Sequence, residues 1–359
     1  MRALVYDEYT IDDNFSKILK IKNLPKPEPR SNEVVFKVIS AALNYDDIWG
    51  MRGKPLAIPL PHISGTDAAG EVVAIGSDVK NIKVGDRVVS HGNMSCRVCK
   101  SCTAGREFDC KKRTIWGFET GPLWGGYCQF THLPEVNVLK IPEGVSYDQA
   151  AAASMTLLTS WHMLVGRAKI TPGQTVLIMG GGSGVGSFGI QIAKLYNCDV
   201  IATASPDKLD KCLELGADFA VDHRKEDWHK EVRAISKELA KKKGEAPGID
   251  LSFDHIGETH WNKQLQLLKY GATLVSCGAT TGYNAQTDLR HVFFKGTNIL
   301  GSTQGTKAEL DQGLYWMGKG KIKAAIDSTY TFEQAAEAHT KMLTGKGMFG
   351  KILMKPEGA

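Results

Sequence analysis

The chain has 359 residues, 42% apolar and 23% charged, with a net charge of +5; that length suits two domains, each able to bury a core, and the composition is ordinary for a soluble globular protein. The mild, dispersed positive charge suits an anionic small ligand and argues against nucleic acid as a partner. No apolar run reaches the roughly 18 residues of a membrane span, and no signal-peptide pattern follows Met1, so the expected compartment is the cytoplasm, with no membrane partner.

The chain opens on a strand-like run, Met1 to Tyr6, and continues in short β-like segments broken by Gly and Pro: Val34–Val38, Gly70–Gly76 and Gly85–Val89. Their spacing predicts a compact barrel-like β domain over residues 1–147. Into it is inserted a lobe, residues 91–113, that carries Cys96, Cys99, Cys102 and Cys110 in the spacing C-x2-C-x2-C-x7-C. A reduced cytosolic setting makes such clustering a metal site rather than a disulfide set. Four thiolates close a tetrahedral shell and leave no position for substrate, so the expected ion is structural zinc. An iron–sulfur cluster fits less well, because its closest spacing ends in x3-C. Cys128, Cys198, Cys212 and Cys277 are scattered and read as small hydrophobes.

From residue 148 the rhythm changes. A helical run, Ser146 to Val165, leads into the apolar strand Gln174–Met179. Further strands are expected at Asp199–Ala204, Phe219–Asp222, Asp250–Asp254, Ala272–Cys277 and Asn298–Ser302, separated by helical stretches; the charged stretch from Arg224 to Lys243 reads as an exposed helix. That alternation predicts a parallel sheet covered on both faces over residues 148–304. The C-terminal segment, residues 305–359, is expected to return to the first domain; within it Phe332 to Met354 reads as a helix, a Gly-rich turn and a last strand.

Directly after the Gln174–Met179 strand comes Gly180-Gly181-Gly182-Ser183-Gly184-Val185-Gly186, then a helix. Between a strand and a helix, such a loop lets backbone approach a pyrophosphate while the helix N-terminus stabilises its charge. Gly181, Gly182, Ser183, Gly184 and Val185 are the expected contacts. An NAD site usually carries an acid about 20 residues on; this chain has Thr203-Ala204-Ser205-Pro206-Asp207-Lys208 there. Ser205 and Lys208 suit the 2′-phosphate of NADPH, which is the expected cofactor, although Asp207 opposes it.

Gly65-Thr66-Asp67-Ala68-Ala69-Gly70-Glu71-Val72, Val84-Gly85-Asp86-Arg87-Val88, the cysteine lobe and the glycine loop together resemble the medium-chain dehydrogenase/reductase superfamily. The resemblance implies an α/β chain: a GroES-like β domain plus a doubly wound Rossmann domain, with a four-cysteine zinc lobe, an active site in the cleft between domains, and a homodimer or homotetramer. Zinc-dependent alcohol dehydrogenases of that superfamily carry Cys near Asn44, Gly-His-Glu where this chain has Gly65-Thr66-Asp67, and Cys or Asp near Ala153. None of those ligands is present.

Ile115-Trp116-Gly117-Phe118-Glu119-Thr120, Asn44-Tyr45-Asp46-Asp47-Ile48-Trp49, Phe253-Asp254-His255-Ile256-Gly257-Glu258-Thr259 and Thr280-Thr281-Gly282-Tyr283 further resemble crotonyl-CoA carboxylase/reductases and related enoyl-CoA reductases. This implies NADPH-dependent reduction of a short 2-enoyl-CoA: hydride to the β-carbon, then protonation of the enolate. Quinone or enone reduction on the same fold, or nucleotide binding without turnover, are the alternatives. The implied site is Asn44, Tyr45, Asp46, Asp47, Phe118, Glu119 and Thr303. Phe118 and Glu119 match residues of the carbon dioxide pocket of the carboxylating enzymes, whereas Asp46 or Asp47 stands where those enzymes have Asn, and Thr303 where they have His. A carboxylate there repels a developing carboxylate product, so reduction without carboxylation is expected. Glu119 is expected to carry a raised pKa beside Trp116 and Phe118, or to orient a water. His62 and His255 read as structural, and Arg52, Lys54, Arg290 and Lys295 are candidate contacts for the phosphates of coenzyme A.

Overall fold

The computed structural model describes residues 1–356; residues 357–359 of the expected C-terminal segment lie outside the described residues. The chain forms two compact units, Met1–Leu158 with the C-terminal segment from Gly305, and Thr159–Gln304. Among the described residues, no helix is long and apolar enough to cross a membrane.

The first unit is built on a seven-stranded sheet in the order Ile326–Thr331, Lys351–Lys355, Glu33–Ala42, Asp67–Ile75, Arg87–Ser90, Val138–Lys140, with Phe130–Pro134 also paired to Glu33–Ala42. Glu33–Ala42 is buried almost throughout, which is why it reads as a near-continuous apolar run rather than an alternating one. The tail does return to this unit: Lys351–Lys355 lies antiparallel to that strand, Leu353 opposite Ala42 and Met354 opposite Ala41. Its core gathers Phe36, Val38, Leu43, Trp116, Tyr127 and Leu133. A strand at Ile326–Thr331 and a helix at Lys307–Gly318, which the sequence pattern did not announce, complete the segment.

The second unit holds six parallel strands in the order Phe219–Asp222, Asp199–Ala204, Thr175–Ile178, Ile249–Asp254, Leu268–Ser276, Asn298–Gly301. In chain order this is 3-2-1-4-5-6, the Rossmann arrangement, whose switch point lies between the first and fourth strands. The helix Tyr147–Trp161 runs on into a wider turn of π-helix, His162–Arg167. Leu177, Met179, Ile201, Val221, Trp228, Leu265 and Leu274 form the core beneath the sheet.

The cysteine lobe projects from the first unit between two short strands, Asn93–Met94 and Thr114–Ile115, that pair with each other. Its four sulfurs lie within 4.8 Å of one another, with separations of 3.9 Å (Cys96–Cys102), 3.6 Å (Cys99–Cys102) and 3.5 Å (Cys96–Cys110). Zinc–sulfur bonds of about 2.3 Å give a tetrahedron with edges of about 3.8 Å, whereas a disulfide requires ~2.05 Å. The cluster therefore fits a closed metal shell. The amides of Val98 and Cys99 bring the Cys96 thiol down to about 6, towards the thiolate a metal needs. Glu107 ties the lobe down: one carboxylate oxygen meets Arg97 at 3.3 Å and accepts the Lys307 N–H at 2.9 Å. Of the other cysteines, Cys128, Cys198 and Cys212 are buried, as expected, and Cys277 is partly exposed.

Chelation, or Cys102→Ser, is expected to lower the melting temperature by at least a few degrees while the fraction that stays folded keeps its turnover. Differential scanning fluorimetry beside an activity assay checks this; lost turnover at an unchanged melting temperature would make the ion catalytic.

Candidate functional site

The strand Glu33–Ala42 delivers the chain to Asn44, which sits in an extended conformation at the N-cap of the helix Tyr45–Arg52. Asp47, three residues on, reaches back so that Oδ2 accepts the Asn44 N–H at 2.9 Å, one arm of a capping box. The same oxygen accepts the Tyr127 hydroxyl at 2.6 Å, and Oδ1 accepts the Gly65 N–H at 3.3 Å. Asp47, 2% exposed, is thus fully occupied in holding the helix, the Gly65 loop and Tyr127 together. Asp46 differs. It is 8% exposed, and its Oδ1 has no hydrogen-bond partner. The structure separates two aspartates that the sequence left equivalent.

The Asn44 amide donates to Thr66 Oγ1 at 2.9 Å and to Asp67 Oδ2 at 2.8 Å, so both its protons are engaged, and donation to a substrate oxyanion would require giving one up. Its carbonyl oxygen accepts from Lys351 Nζ at 2.6 Å; the same ammonium donates to Leu43 O at 2.5 Å and to Asp67 Oδ2 at 3.1 Å. Asp67 Oδ1 takes the Met155 N–H at 2.9 Å. The resemblance to zinc-dependent alcohol dehydrogenases implies metal ligands at the positions of Asn44 and Thr66. An amide, a hydroxyl and the Ala153 methyl do not make a zinc donor set, and a buried ammonium already holds the Asp67 carboxylate. A catalytic metal does not fit these residues.

The turn that carries Phe118 and Glu119 is locked onto the same loop. Gly117 has φ of 74°, in the left-handed region, and a Cβ there would lie 2.2 Å from the Gly65 carbonyl oxygen; only glycine allows that approach. His62 sits below it, its ring nitrogens 3.2 Å from Pro59 O and 3.1 Å from Gly117 O, a structural place as expected. Phe118 packs with Tyr6, Ile48, Met51 and Ile58. Half-buried Glu119 accepts the Ile115 N–H at 2.6 Å through Oε2, which holds its carboxylate against its own turn. Tyr45 is half-buried, edge-on to Trp49 with ring centroids 5.6 Å apart. Asn44, Tyr45, Asp46, Asp47, Phe118 and Glu119 therefore share one region of the first unit. Thr303 belongs to the second unit and is exposed there, just past the strand Asn298–Gly301.

In the second unit the glycine loop crosses the switch point. Ser183 caps the helix Gly184–Leu195 by accepting the Gly186 N–H at 2.8 Å, and the first turn carries no acid. A Cβ on Gly186 would meet Gly180 O at 2.2 Å, so the loop folds back on itself as a pyrophosphate cradle does. Gly181 donates to Thr203 O at 2.8 Å; Gly181, Gly182 and Gly184 are buried, while Ser183 and Val185 are partly exposed. His255 Nε2 lies 3.1 Å from Ser183 Oγ, a contact with the cradle that sequence reasoning had not anticipated. At the end of the second strand, the Ser205 hydroxyl bonds the exposed Asp207 carboxylate and, with Lys208 and Arg224 nearby, holds it below the usual carboxylate range. Arg224 was not singled out from sequence, where it sits in a charged run. These residues fit a nicotinamide dinucleotide.

Three of the candidate coenzyme A contacts have partners. Arg52 grips Asp13 with two bonds of 2.7 Å, Arg290 pairs with Asp288 at 2.8 Å, and Lys295 donates to the carbonyls of Leu265, Gln266 and Leu268. Lys54 is exposed. Lys351 and Tyr127 join this network without having been singled out from sequence, where Thr66 and Asp67 were noted only as replacing metal ligands; the available signal was a lysine opening the apolar run Ile352-Leu353-Met354.

Replacing Lys351 with Met strands Asp67, which is fully buried, without its cation; a loss of about 3–5 kcal/mol in urea unfolding is expected, much of it regained in the Lys351→Met, Asp67→Asn pair. A loss below about 1 kcal/mol would show the pair to be dispensable.

The alcohol dehydrogenase GroES-like domain family matches residues 30–143, and the zinc-binding dehydrogenase family matches residues 184–319. The chain is similar to crotonyl-CoA carboxylase/reductase of Cereibacter sphaeroides, 29% identical over 90% of this chain and 80% of that protein. It is similar to acryloyl-coenzyme A reductase of Sulfurisphaera tokodaii, 27% identical over 94% of this chain and 96% of that protein. The crystal structure of an NAD-dependent alcohol dehydrogenase is 35% identical and matches with a TM-score of 0.91 over 99% of this chain and 100% of that one. With both families matched and relatives covered nearly end to end, the chain belongs to the medium-chain dehydrogenase/reductase superfamily.

Proposed function

We propose that the chain is an NADPH-dependent reductase of short 2-enoyl-CoA thioesters such as crotonyl- or acryloyl-CoA. The observation that supports this reading is the Asn44–Thr66–Asp67–Lys351 network, in which fixed hydrogen bonds hold the residues that stand where the resemblance to zinc-dependent alcohol dehydrogenases implies metal ligands. Alcohol oxidation gains its main electrostatic help from a Lewis acid that lowers the alcohol pKa. An enoyl thioester needs no such help, because conjugation already makes its β-carbon electrophilic. Two relatives named for acyl-CoA reduction point the same way, and the alcohol dehydrogenase neighbour supports the common fold.

NADPH, bound on the glycine loop, would supply the hydride. The residues of this chain then position and protect the substrate: Phe118 and Trp49 offer apolar walls, Tyr45 offers a phenol, and Glu119 is held by its own turn for water or substrate polar groups. Ser205, Lys208 and Arg224 support NADPH over NADH. Asp207 is the residue that opposes it, and its charge is already partly offset by Ser205 and the two cations. A homodimer or homotetramer belongs to this reading. Tyr270, Leu289, Phe293 and Phe294 are exposed apolar side chains in the second unit that a further copy would cover.

Loss of NADPH absorbance with crotonyl-CoA or acryloyl-CoA, and none with a quinone or with a simple alcohol plus NADP, is the expected result of a substrate panel. Oxidation with the quinone alone would instead favour quinone reduction, and NADPH binding with no turnover would favour a non-catalytic role. In the same assay NADPH is expected to bind at least about tenfold better than NADH, with Ser205→Asp narrowing the gap through charge repulsion; equal affinities would overturn the reading of the second strand.

Carbon dioxide provides a separate test. Under labelled bicarbonate, mass spectrometry is expected to find almost only reduced product. Asp46→Asn combined with Thr303→His should raise the carboxylated fraction. Asp46 is preferred to Asp47 for this test because Asp47 holds the fold together. No gain in the double variant would show that these positions do not shape the fate of the enolate.

A further inference from the structure

Three buried carboxyl groups, Asp46, Asp47 and Asp67, are grouped near the start of the helix Tyr45–Arg52, with Lys351 as the buried cation they share. Their surroundings are unequal. Asp47 accepts three donors, from Asn44, Gly65 and Tyr127. Asp67 accepts three more, from Asn44, Met155 and Lys351. The Lys351 ammonium spends its protons on Leu43, Asn44 and Asp67. Asp46 Oδ1 is left buried with none. An ionised carboxylate in that position would carry an unsolvated oxygen beside two other acids, which is the environment that keeps a carboxyl group neutral. A neutral carboxyl group is an O–H donor.

We propose that Asp46 is the proton donor of the reaction, a carboxylic acid that delivers its proton to the α-carbon of the enolate after hydride has reached the β-carbon. The role rests on the enoyl-thioester reading above. The electron pair of the broken O–H bond stays on the Asp46 carboxylate, the proton forms the new C–H bond, and a proton from water then restores the acid. Each turnover thus consumes one hydride and one proton. Glu119 is less suited, since it is only half-buried and already accepts the Ile115 amide.

The titrating groups that bear on Asp46 are Asp47 on its own helix, Asp67 on the neighbouring strand and Lys351 on the C-terminal strand. Tyr6 and Tyr127 are the phenols within its influence. Burial, reinforced by the Asp47 and Asp67 charges, moves the Asp46 carboxyl well above the usual carboxylate range; Lys351 and the Asp47 backbone N–H oppose this only in part. The native state therefore keeps a proton that the unfolded chain releases near pH ~4. The acid is competent below its raised pKa, and both turnover and the stability tied to this proton decline as pH rises towards it. This also replaces charge repulsion as the reason for little carboxylation: a neutral Asp46 repels nothing, but it quenches the enolate before carbon dioxide can.

The test compares the native protein with Asp46→Asn, which preserves shape and removes the acid. Asp46→Ser serves the same comparison if the first variant does not fold. With NADPH and crotonyl-CoA, kcat should fall about 100-fold or more in the variant, the size of a lost general acid. The alkaline decline of kcat/KM should disappear, while NADPH affinity stays unchanged. The melting temperature at pH 8 should be equal or higher, and the infrared carbonyl band of a protonated carboxyl group should vanish. A kcat within about threefold of native, a retained alkaline limb, or a variant markedly less stable at pH 8 would overturn the role of Asp46. Failure of the substrate reading would show instead in the native protein, as no oxidation of NADPH with any enoyl thioester.

Discussion

The first unit depends on one buried cation. Lys351, at the start of the C-terminal strand, holds the Leu43 carbonyl, the Asn44 amide and the Asp67 carboxylate in one cluster, and so joins three elements that are distant in sequence. A buried ion pair of this kind gives little net stability compared with well-packed apolar residues, but removing one partner is severe. Its consequence here is geometric. With Lys351 in place, Asn44 has one orientation, the helix Tyr45–Arg52 has one starting point, and the side chains of its first turn are aimed by that choice.

Two kinds of positive charge are thereby kept apart. Sulfur donors are gathered in the lobe at Cys96, Cys99, Cys102 and Cys110, where a four-thiolate shell leaves no open coordination position. Around Asn44, Thr66 and Asp67, the hydrogen bonds come instead from an ammonium and an amide. A shell of fixed donors can hold carboxyl groups in different protonation states within a few residues of one another, which a single exchangeable ion does less readily. Asp46 and Asp47 differ in their donors: adjacent in sequence and both buried, Asp47 accepts from Asn44, Gly65 and Tyr127, whereas one oxygen of Asp46 has no partner.

Much of the fold was legible because its signals are local. The six strands of the second unit are apolar runs separated by helical stretches, and the glycine loop follows the first of them, so strand, loop and helix could be placed from spacing alone. The boundaries drifted by a few residues where a strand continues into polar positions, as in Leu268–Ser276, where Lys269 and Tyr270 interrupt the apolar pattern. The strand Ile326–Thr331 escaped because only its pairing with Lys351–Lys355, across a helix and a glycine-rich turn, makes it a strand.

The sequence by itself determined the families of residues: four cysteines at metal spacing, a glycine loop at the head of an alternating α/β region, the absence of thiolate and imidazole at Asn44, Thr66 and Ala153, and a Phe118–Glu119 turn of distinctive composition. These depend on residue type and spacing, which are written directly in the chain. Tertiary structure alone decided which members of those sets are free to act. Whether a carboxyl group is ionised depends on how many donors converge on it, and those donors come from Tyr127, Gly65, Met155 and Lys351, up to 307 positions away from Asn44 along the chain. Local pattern carries no information about such convergence, so the difference between Asp46 and Asp47 appears only when the chain is folded.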